Sequence, residues 1–139
     1  MYRYCIYFIL FFQISFAQDY NAGLKCFGNA DYVCAKNHFS LLIETHHVQD
    51  VKLEYAYYYL FLSALNLYHS ETDYLFNIFI EKFPFSPKKE DAFYYMGRYL
   101  FEKKNYKELI SLLTQINLYQ FSHTKSSDLF FYLGYSAYQ

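Results

Sequence analysis

Apolar residues recur at intervals of three and four along seven segments of the chain, a spacing typical of amphipathic α-helices. Short polar breaks separate these segments, and the only two prolines, Pro84 and Pro87, share one of the breaks. A proline cannot continue the helix before it, and Ser86-Pro87 followed by Lys-Lys-Glu-Asp suits a new helix start. The segments fall near residues 19–28, 31–45, 53–68, 72–83, 88–102, 106–117 and 127–139. We therefore predict an all-α fold of helical hairpins, in which the seventh segment has no partner.

The first and third hairpins share a pattern, in which a glycine precedes a tyrosine and three apolar residues at fixed offsets. These residues are Gly23, Tyr32, Ala35, Phe39 and Leu42 in the first hairpin, and Gly97, Tyr106, Leu109, Leu113 and Ile116 in the third. In the second hairpin we align Ala64 with the glycines, which places Phe76, Ile80 and Phe83 at the apolar positions. A small residue lets the second helix approach closely, and hairpins that cannot bury their apolar faces alone must stack on one another.

This pattern resembles the tetratricopeptide repeat family over roughly residues 19–139. The stretch AFYYMGRYLFEKKNYKEL carries the resemblance best, with Phe93 at the aromatic position, Gly97 at the small position and a Lys-Lys-Asn-Tyr turn. The segment EKFPFSPKKEDAFYYMG before it looks like the repeat boundary of exported bacterial members. Leu109 and Phe76 depart from the family, because they stand where alanine is usual. The resemblance implies a right-handed solenoid of antiparallel hairpins, with about three and a half repeats and an end within a repeat.

Members of the family usually bind a protein or peptide along a concave surface lined by the first helices. The resemblance implies that the inner positions are Tyr20, Leu24, Phe27, Phe61, Leu65, Tyr68, Tyr94, Arg98, Phe101, Phe131, Tyr135 and Tyr138. Tyrosine hydroxyls and Arg98 would supply hydrogen bonds to the partner. The alternative is that several of these side chains pack against the adjacent repeat, because aromatic stripes at helical spacing are most often core.

Residues 1–17, MYRYCIYFILFFQISFA, are typical of a secretory signal peptide. Arg3 precedes a continuous apolar run from Ile6 to Phe12, and Ser15-Phe16-Ala17 has the small-x-small pattern that signal peptidase accepts. The apolar run is shorter than the ~20 residues of a membrane-spanning helix. A buried N-terminal helix and an uncleaved anchor are the alternatives. We expect export, to the periplasm or cell envelope.

Two cysteines, Cys26 and Cys34, follow this segment and are eight residues apart. An oxidising compartment would allow a disulfide that staples a hairpin, but we favour two buried free thiols, because a cysteine count does not fix geometry. Cys34 and His38 lie four residues apart on one predicted helix and could supply half of a metal site or a thiol–base pair. No second half is visible in the sequence, so we predict no metal site.

Composition and motifs give no support to enzymatic or nucleic-acid chemistry. The chain has four glycines and no glycine-rich phosphate loop, so we predict neither a catalytic residue nor a cofactor. A net charge of −1 supplies no field that attracts phosphate. Glu102 and Glu108 interrupt the basic residues near Lys103-Lys104, which we interpret as a solvated hairpin turn rather than a nucleic-acid surface.

Two functional classes remain open. The first is an exported scaffold for a protein or peptide partner, and the second is a structural N-terminal spacer module of a longer solenoid. The seventh segment leaves Phe130, Phe131, Tyr132 and Tyr135 poorly covered, whereas a finished solenoid normally has a polar cap. We expect truncation, or capping by oligomerisation through this helix. Any association with a membrane would come through such complexes.

Overall fold

The computed structural model describes residues 19–45 and 51–139, and the regular elements in these ranges are all helical. Residues 19–28 are helical and form α1. The further helices are α2 (Tyr32–Thr45), α3 (Val51–Asn66), α4 (Thr72–Lys82), α5 (Lys89–Glu102), α6 (Tyr106–Leu113) and α7 (His123–Tyr138), with a short 3-10 helix at Leu118–Gln120. The predicted all-α class is confirmed over these ranges.

The predicted signal peptide, residues 1–17, lies outside the described residues. Within the described ranges, none of the helices is both long enough and apolar enough to span a membrane.

The chain divides into two compact units at the proline-containing break. The first unit is Met1–Ser86 and contains α1 to α4, and the second is Pro87–Gln139 and contains α5 to α7. The side chain of Ser86, at the end of the first unit, donates a hydrogen bond to Glu54 Oε1 of α3 at 2.5 Å. This hydrogen bond therefore attaches the end of the first unit to α3 of the same unit.

Helices α1, α3 and α5 end in the same way. Each is followed by a non-glycine residue with positive φ, which is 58° at Ala30, 52° at Tyr68 and 57° at Lys104. The next amide donates to the carbonyl five residues earlier, at 2.9 Å in each of the pairs Asp31–Cys26, His69–Ala64 and Asn105–Leu100. This is the Schellman arrangement, which satisfies the last carbonyls of a helix.

Buried positions recur at intervals of 37 residues in α2, α4 and α6. They are Ala35, Phe39 and Leu42 in α2, Thr72, Phe76 and Phe79 in α4, and Leu109 and Leu113 in α6. This register shifts the sequence alignment of the second hairpin by four residues, because Phe76 now corresponds to Phe39 rather than to Ala35. A helical apolar pattern fits almost as well one turn out of register, and the small size of Ala64 favoured the displaced fit.

The core of the first unit lies around α2 and α3. One cluster of buried residues there comprises Ala35, Phe39, Leu42, Leu53, Ala56 and Leu60, and Phe61, Phe76 and Phe79 are buried as well. A Cβ atom on Gly23 would lie 2.9 Å from the ring of Phe39, so only glycine allows α1 to pack this closely without movement of that ring. The ring of Phe39 also stacks on Tyr59, with centroids 5.6 Å apart.

A disulfide joins Cys26 of α1 to Cys34 of α2, with the two Cα atoms 5.7 Å apart. Our preference for two buried free thiols was therefore wrong, and both cysteines are half-buried rather than buried. The Schellman turn after α1 explains the pairing, because it brings the end of α1 beside the first turn of α2.

In the second unit, α5, α6 and α7 pack against one another in all three pairings. A Cβ atom on Gly97 of α5 would lie 3.0 Å from Leu129 Cδ2 of α7 and 3.4 Å from Leu113 Cδ2 of α6. Glycine at this position therefore permits close contact with both neighbouring helices.

Candidate functional site

The three predicted inner residues of α1 lie at the edge of the core of the first unit. Tyr20, Leu24 and Phe27 are half-buried and pack against the core residues around α2 and α3. The ring of Tyr20 meets Phe39 edge-on at 6.1 Å, and the ring of Phe27 lies 5.0 Å from Tyr59. Burial raises the pKa of Tyr20, and the neighbouring tyrosines Tyr59 and Tyr55 add to this rise.

The predicted inner residues of α3 and of the turn that follows it differ in exposure. Phe61 is completely buried, with its ring 5.5 Å from that of Phe76, so it belongs to the core and is not available to a surface partner. Leu65 is half-buried, whereas Tyr68 is 59% exposed at the turn after α3. Of the six predicted inner residues of the first unit, one is buried, four are half-buried and one is exposed.

Four of the six predicted inner residues of the second unit are exposed, and the other two are half-buried. The ring of Phe101 on α5 lies 5.9 Å from Phe131 and 5.5 Å from Tyr135, both on α7. It also stacks on Tyr132 at 4.4 Å. Because Phe131 is 60% exposed and Tyr135 is 41% exposed, this aromatic cluster of Phe101, Phe131, Tyr132 and Tyr135 is accessible to a partner.

Polar groups border the aromatic cluster on α5. The Tyr94 hydroxyl donates to Asp128 Oδ2 at 2.8 Å, and Arg98 Nε donates to Glu102 Oε1 at 2.7 Å. Burial and the hydrogen bond to the Asp128 carboxylate raise the pKa of Tyr94 to about 12. The hydrogen bond and charge of Glu102 raise the pKa of Arg98. At neutral pH these groups present a neutral hydroxyl and a charged guanidinium beside the aromatic rings.

One stripe of α7 is open where the corresponding stripe of α5 is covered. Phe93, Gly97 and Leu100 are buried on α5, and the residues 37 positions later are Phe130, Gly134 and Ala137, which are all exposed. We refer to these last three residues as the open stripe.

The glycines show the difference most directly. A Cβ atom at Gly97 would meet Leu129, Leu113 and Leu109 within 4 Å, whereas one at Gly134 would meet no atom within 4 Å. Phe130 is 39% exposed, and its ring lies 5.2 Å from that of the exposed Tyr119 at one end of the stripe. Tyr138, the last predicted inner residue, is 88% exposed at the other end of α7.

Sequence reasoning identified Phe130 as poorly covered but did not include Gly134 or Ala137 in the site. The distance of 37 residues to Gly97 and Leu100 was the signal that could have identified them. The open stripe contains no titratable group, and its chemistry suits the binding of an apolar surface.

A scan against protein-family models and searches of curated proteins and of solved structures found no match to this chain.

Proposed function

We propose that this protein is an exported, non-catalytic scaffold of tetratricopeptide-like repeats, which binds an apolar α-helical segment of another protein at α7. The observation that carries the proposal is the open stripe of α7, whose counterpart on α5 is covered by two helices of the same chain. The exposed aromatic cluster beside the stripe enlarges the apolar surface available to the partner.

Three recurring features support the repeat architecture. The Schellman ends of α1, α3 and α5 mark the same point in successive helix pairs. The buried positions of α2, α4 and α6 keep an interval of 37 residues, close to the ~34-residue period of tetratricopeptide repeats. The packing of α7 on both α5 and α6 is what a stacked hairpin needs in order to bury its apolar faces.

The packing on α5 indicates which kind of partner would fit the open stripe. Leu109 and Leu113, four residues apart on α6, cover Gly97 together with Leu129 of α7. A helix that presents leucines at the same spacing could approach Gly134 equally closely, because no side chain stands in its way. Arg98 and the exposed tyrosines would supply hydrogen bonds at the rim.

A peptide with the sequence of residues 105–118, which includes α6, provides a direct probe of this surface. We expect the peptide, added to ¹⁵N-labelled protein, to shift the amide resonances of α7 around Gly134. A peptide in which Leu109 and Leu113 are replaced by alanine is the matched control and should cause much smaller shifts.

The variant Gly134→Leu should abolish the response by filling the stripe, whereas Gly28→Leu should not, since Gly28 is likewise exposed with no atom within 4 Å of its Cβ position. The proposal fails if the peptide causes no shifts in α7, or if Gly134→Leu leaves them unchanged. A homodimer that Gly134→Leu dissociates would assign the stripe to a second copy and would contradict binding of a different protein.

Export is supported by the Cys26–Cys34 disulfide, because such bonds persist mainly in oxidising compartments. It is tested by expressing the full chain with a C-terminal tag, fractionating the cells and sequencing the N-terminus of the product. We expect an extracytoplasmic protein that begins at Gln18. A cytoplasmic product that retains residues 1–17 would refute export without affecting the proposal for α7.

A further inference from the structure

We propose that Cys26, Cys34 and His38 bind one Zn²⁺ ion when the two cysteines are in the dithiol state. The two sulfur atoms and a ring nitrogen of His38 all lie within 4.8 Å of one another, and all three residues are half-buried. Within the described residues this is the one group of at least three histidine, cysteine or acidic side chains that converges so closely. Cys26 of α1 is the further ligand that the sequence did not place beside the Cys34–His38 pair.

Hydrogen bonds that do not involve sulfur hold the two cysteines together. The Asp31 amide donates to the Cys26 carbonyl at 2.9 Å, and the Asp31 carboxylate accepts the Cys34 amide at 3.0 Å. Asp31 thus ties the end of α1 to the first turn of α2. Because Gly23 and Phe39 also pack the two helices together, we expect the cysteines to stay close after the disulfide is reduced.

The donor set and its spacing suit zinc. Thiolate and imidazole are preferred ligands of Zn²⁺, and tetrahedral coordination places such donor atoms about 3.5–3.8 Å apart. Release of the S–S bond lets the sulfur atoms separate to this distance by side-chain rotation, with Cα atoms 5.7 Å apart. Cys34 lies in the first turn of α2, where the helix dipole favours a thiolate, and His38 lies one turn later on the same face.

Three protein ligands leave the fourth coordination position to water or another small ligand. The metal-bound and disulfide forms exclude each other, because both use the same two sulfur atoms. When an external disulfide oxidises the zinc dithiolate, two electrons pass from the cysteine thiolates to that disulfide. The Cys26–Cys34 bond forms, the external S–S bond breaks, and two external thiolates and free Zn²⁺ are released.

The test uses Co²⁺ as a spectroscopic substitute for Zn²⁺ in the full chain, reduced with a phosphine. We expect one equivalent of Co²⁺ to produce thiolate-to-cobalt charge-transfer absorption and the visible bands of tetrahedral cobalt, and Zn²⁺ to abolish both. His38→Ala and His38→Gln should each weaken Co²⁺ binding by at least about tenfold, the lower end of what loss of an outer-shell partner costs. His123→Ala, which changes a histidine outside the cluster, should leave the affinity unchanged.

Absence of thiolate-to-cobalt absorption in the reduced wild-type chain would overturn the proposal, whatever its helix content by circular dichroism. So would an unchanged Co²⁺ affinity in both His38 variants. Oxidised glutathione should restore the disulfide and release the metal in parallel, as followed by free-thiol titration. Cobalt absorption that persists after the thiols of Cys26 and Cys34 have been consumed would also overturn the proposal.

Discussion

Helices α5 and α7 are built alike but are buried differently. Ala92 and Tyr99 are buried on α5, and the residues 37 positions later, Leu129 and Ser136, are buried on α7. The two helices differ on the adjacent stripe, where α5 carries Phe93, Gly97 and Leu100 under its neighbours and α7 carries the open stripe. Both helices carry a phenylalanine and a glycine at corresponding positions of this stripe. The difference in burial therefore comes from the elements that pack on each helix and not from the residue types.

The largest expected contrast is between the two phenylalanines of this pair. Phe93→Ala should lower the free energy of unfolding by about 3–5 kcal/mol, because it removes a buried ring and leaves a cavity. Phe130→Ala should lower it by less than about 1 kcal/mol, because that ring is already partly in water. Chemical denaturation of the two variants measures both values, and equal losses would mean that the open stripe is covered in solution.

Substitution of the paired glycines should change stability by smaller amounts, and the two changes should have opposite signs. Gly97→Leu should destabilise the second unit by about 1–3 kcal/mol, because Leu129 and Leu113 already occupy the space. Gly134→Leu should stabilise it by up to about 0.8 kcal/mol, the difference in helix propensity between the two residues. Thermal unfolding of both variants tests this expectation, and a destabilising Gly134→Leu would contradict an open stripe.

Helix positions were largely predictable from the sequence because apolar periodicity and breaks are local features. The segment predicted at 88–102 corresponds to α5, Lys89–Glu102, and the segment at 31–45 to α2, Tyr32–Thr45. The ends were less predictable. Helix α7 begins at His123 rather than near 127, because residues we interpreted as a polar break form its first turn.

Contacts between helices were not predictable, because the spacing of residues along one helix does not identify the element that covers it. The register of α4 was displaced by one turn, and Phe61 was assigned to an inner surface although it is completely buried. The convergence of Cys26 with Cys34 and His38 likewise depends on the turn between α1 and α2. The exposure of the open stripe likewise depends on which helices pack against α7, although its 37-residue spacing from the covered stripe of α5 is present in the sequence.

The next pair of positions, Tyr94 and Phe131, differs by one hydroxyl group. Tyr94→Phe should cost about 1 kcal/mol, because the Asp128 carboxylate loses its donor. Phe131→Tyr should change stability by less than about 0.5 kcal/mol, because the added hydroxyl would lie on a largely exposed ring.

The effect of Tyr94→Phe should also depend on pH. Folding raises the Tyr94 pKa from 10.0 to about 12, so the neutral hydroxyl contributes fully below pH 10 and its contribution is lost as the pH rises towards 12. The stability difference between wild type and Tyr94→Phe should therefore be constant below pH 10 and narrow above it. A difference that stays constant through this range would mean that the Tyr94–Asp128 bond does not form in solution.

The smallest effect is expected at Arg98, whose counterpart on α7 is the uncharged Tyr135. Arg98 and Glu102 form an exposed ion pair four residues apart, so a double-mutant cycle with alanine at both positions should give a coupling of about 0.3–0.5 kcal/mol. This coupling should fall with added salt, because solvent-exposed charges are screened. A coupling that salt leaves unchanged would show that Arg98 is held by more than Glu102. Arg98 would then belong to the folded framework of α5 rather than to its binding rim.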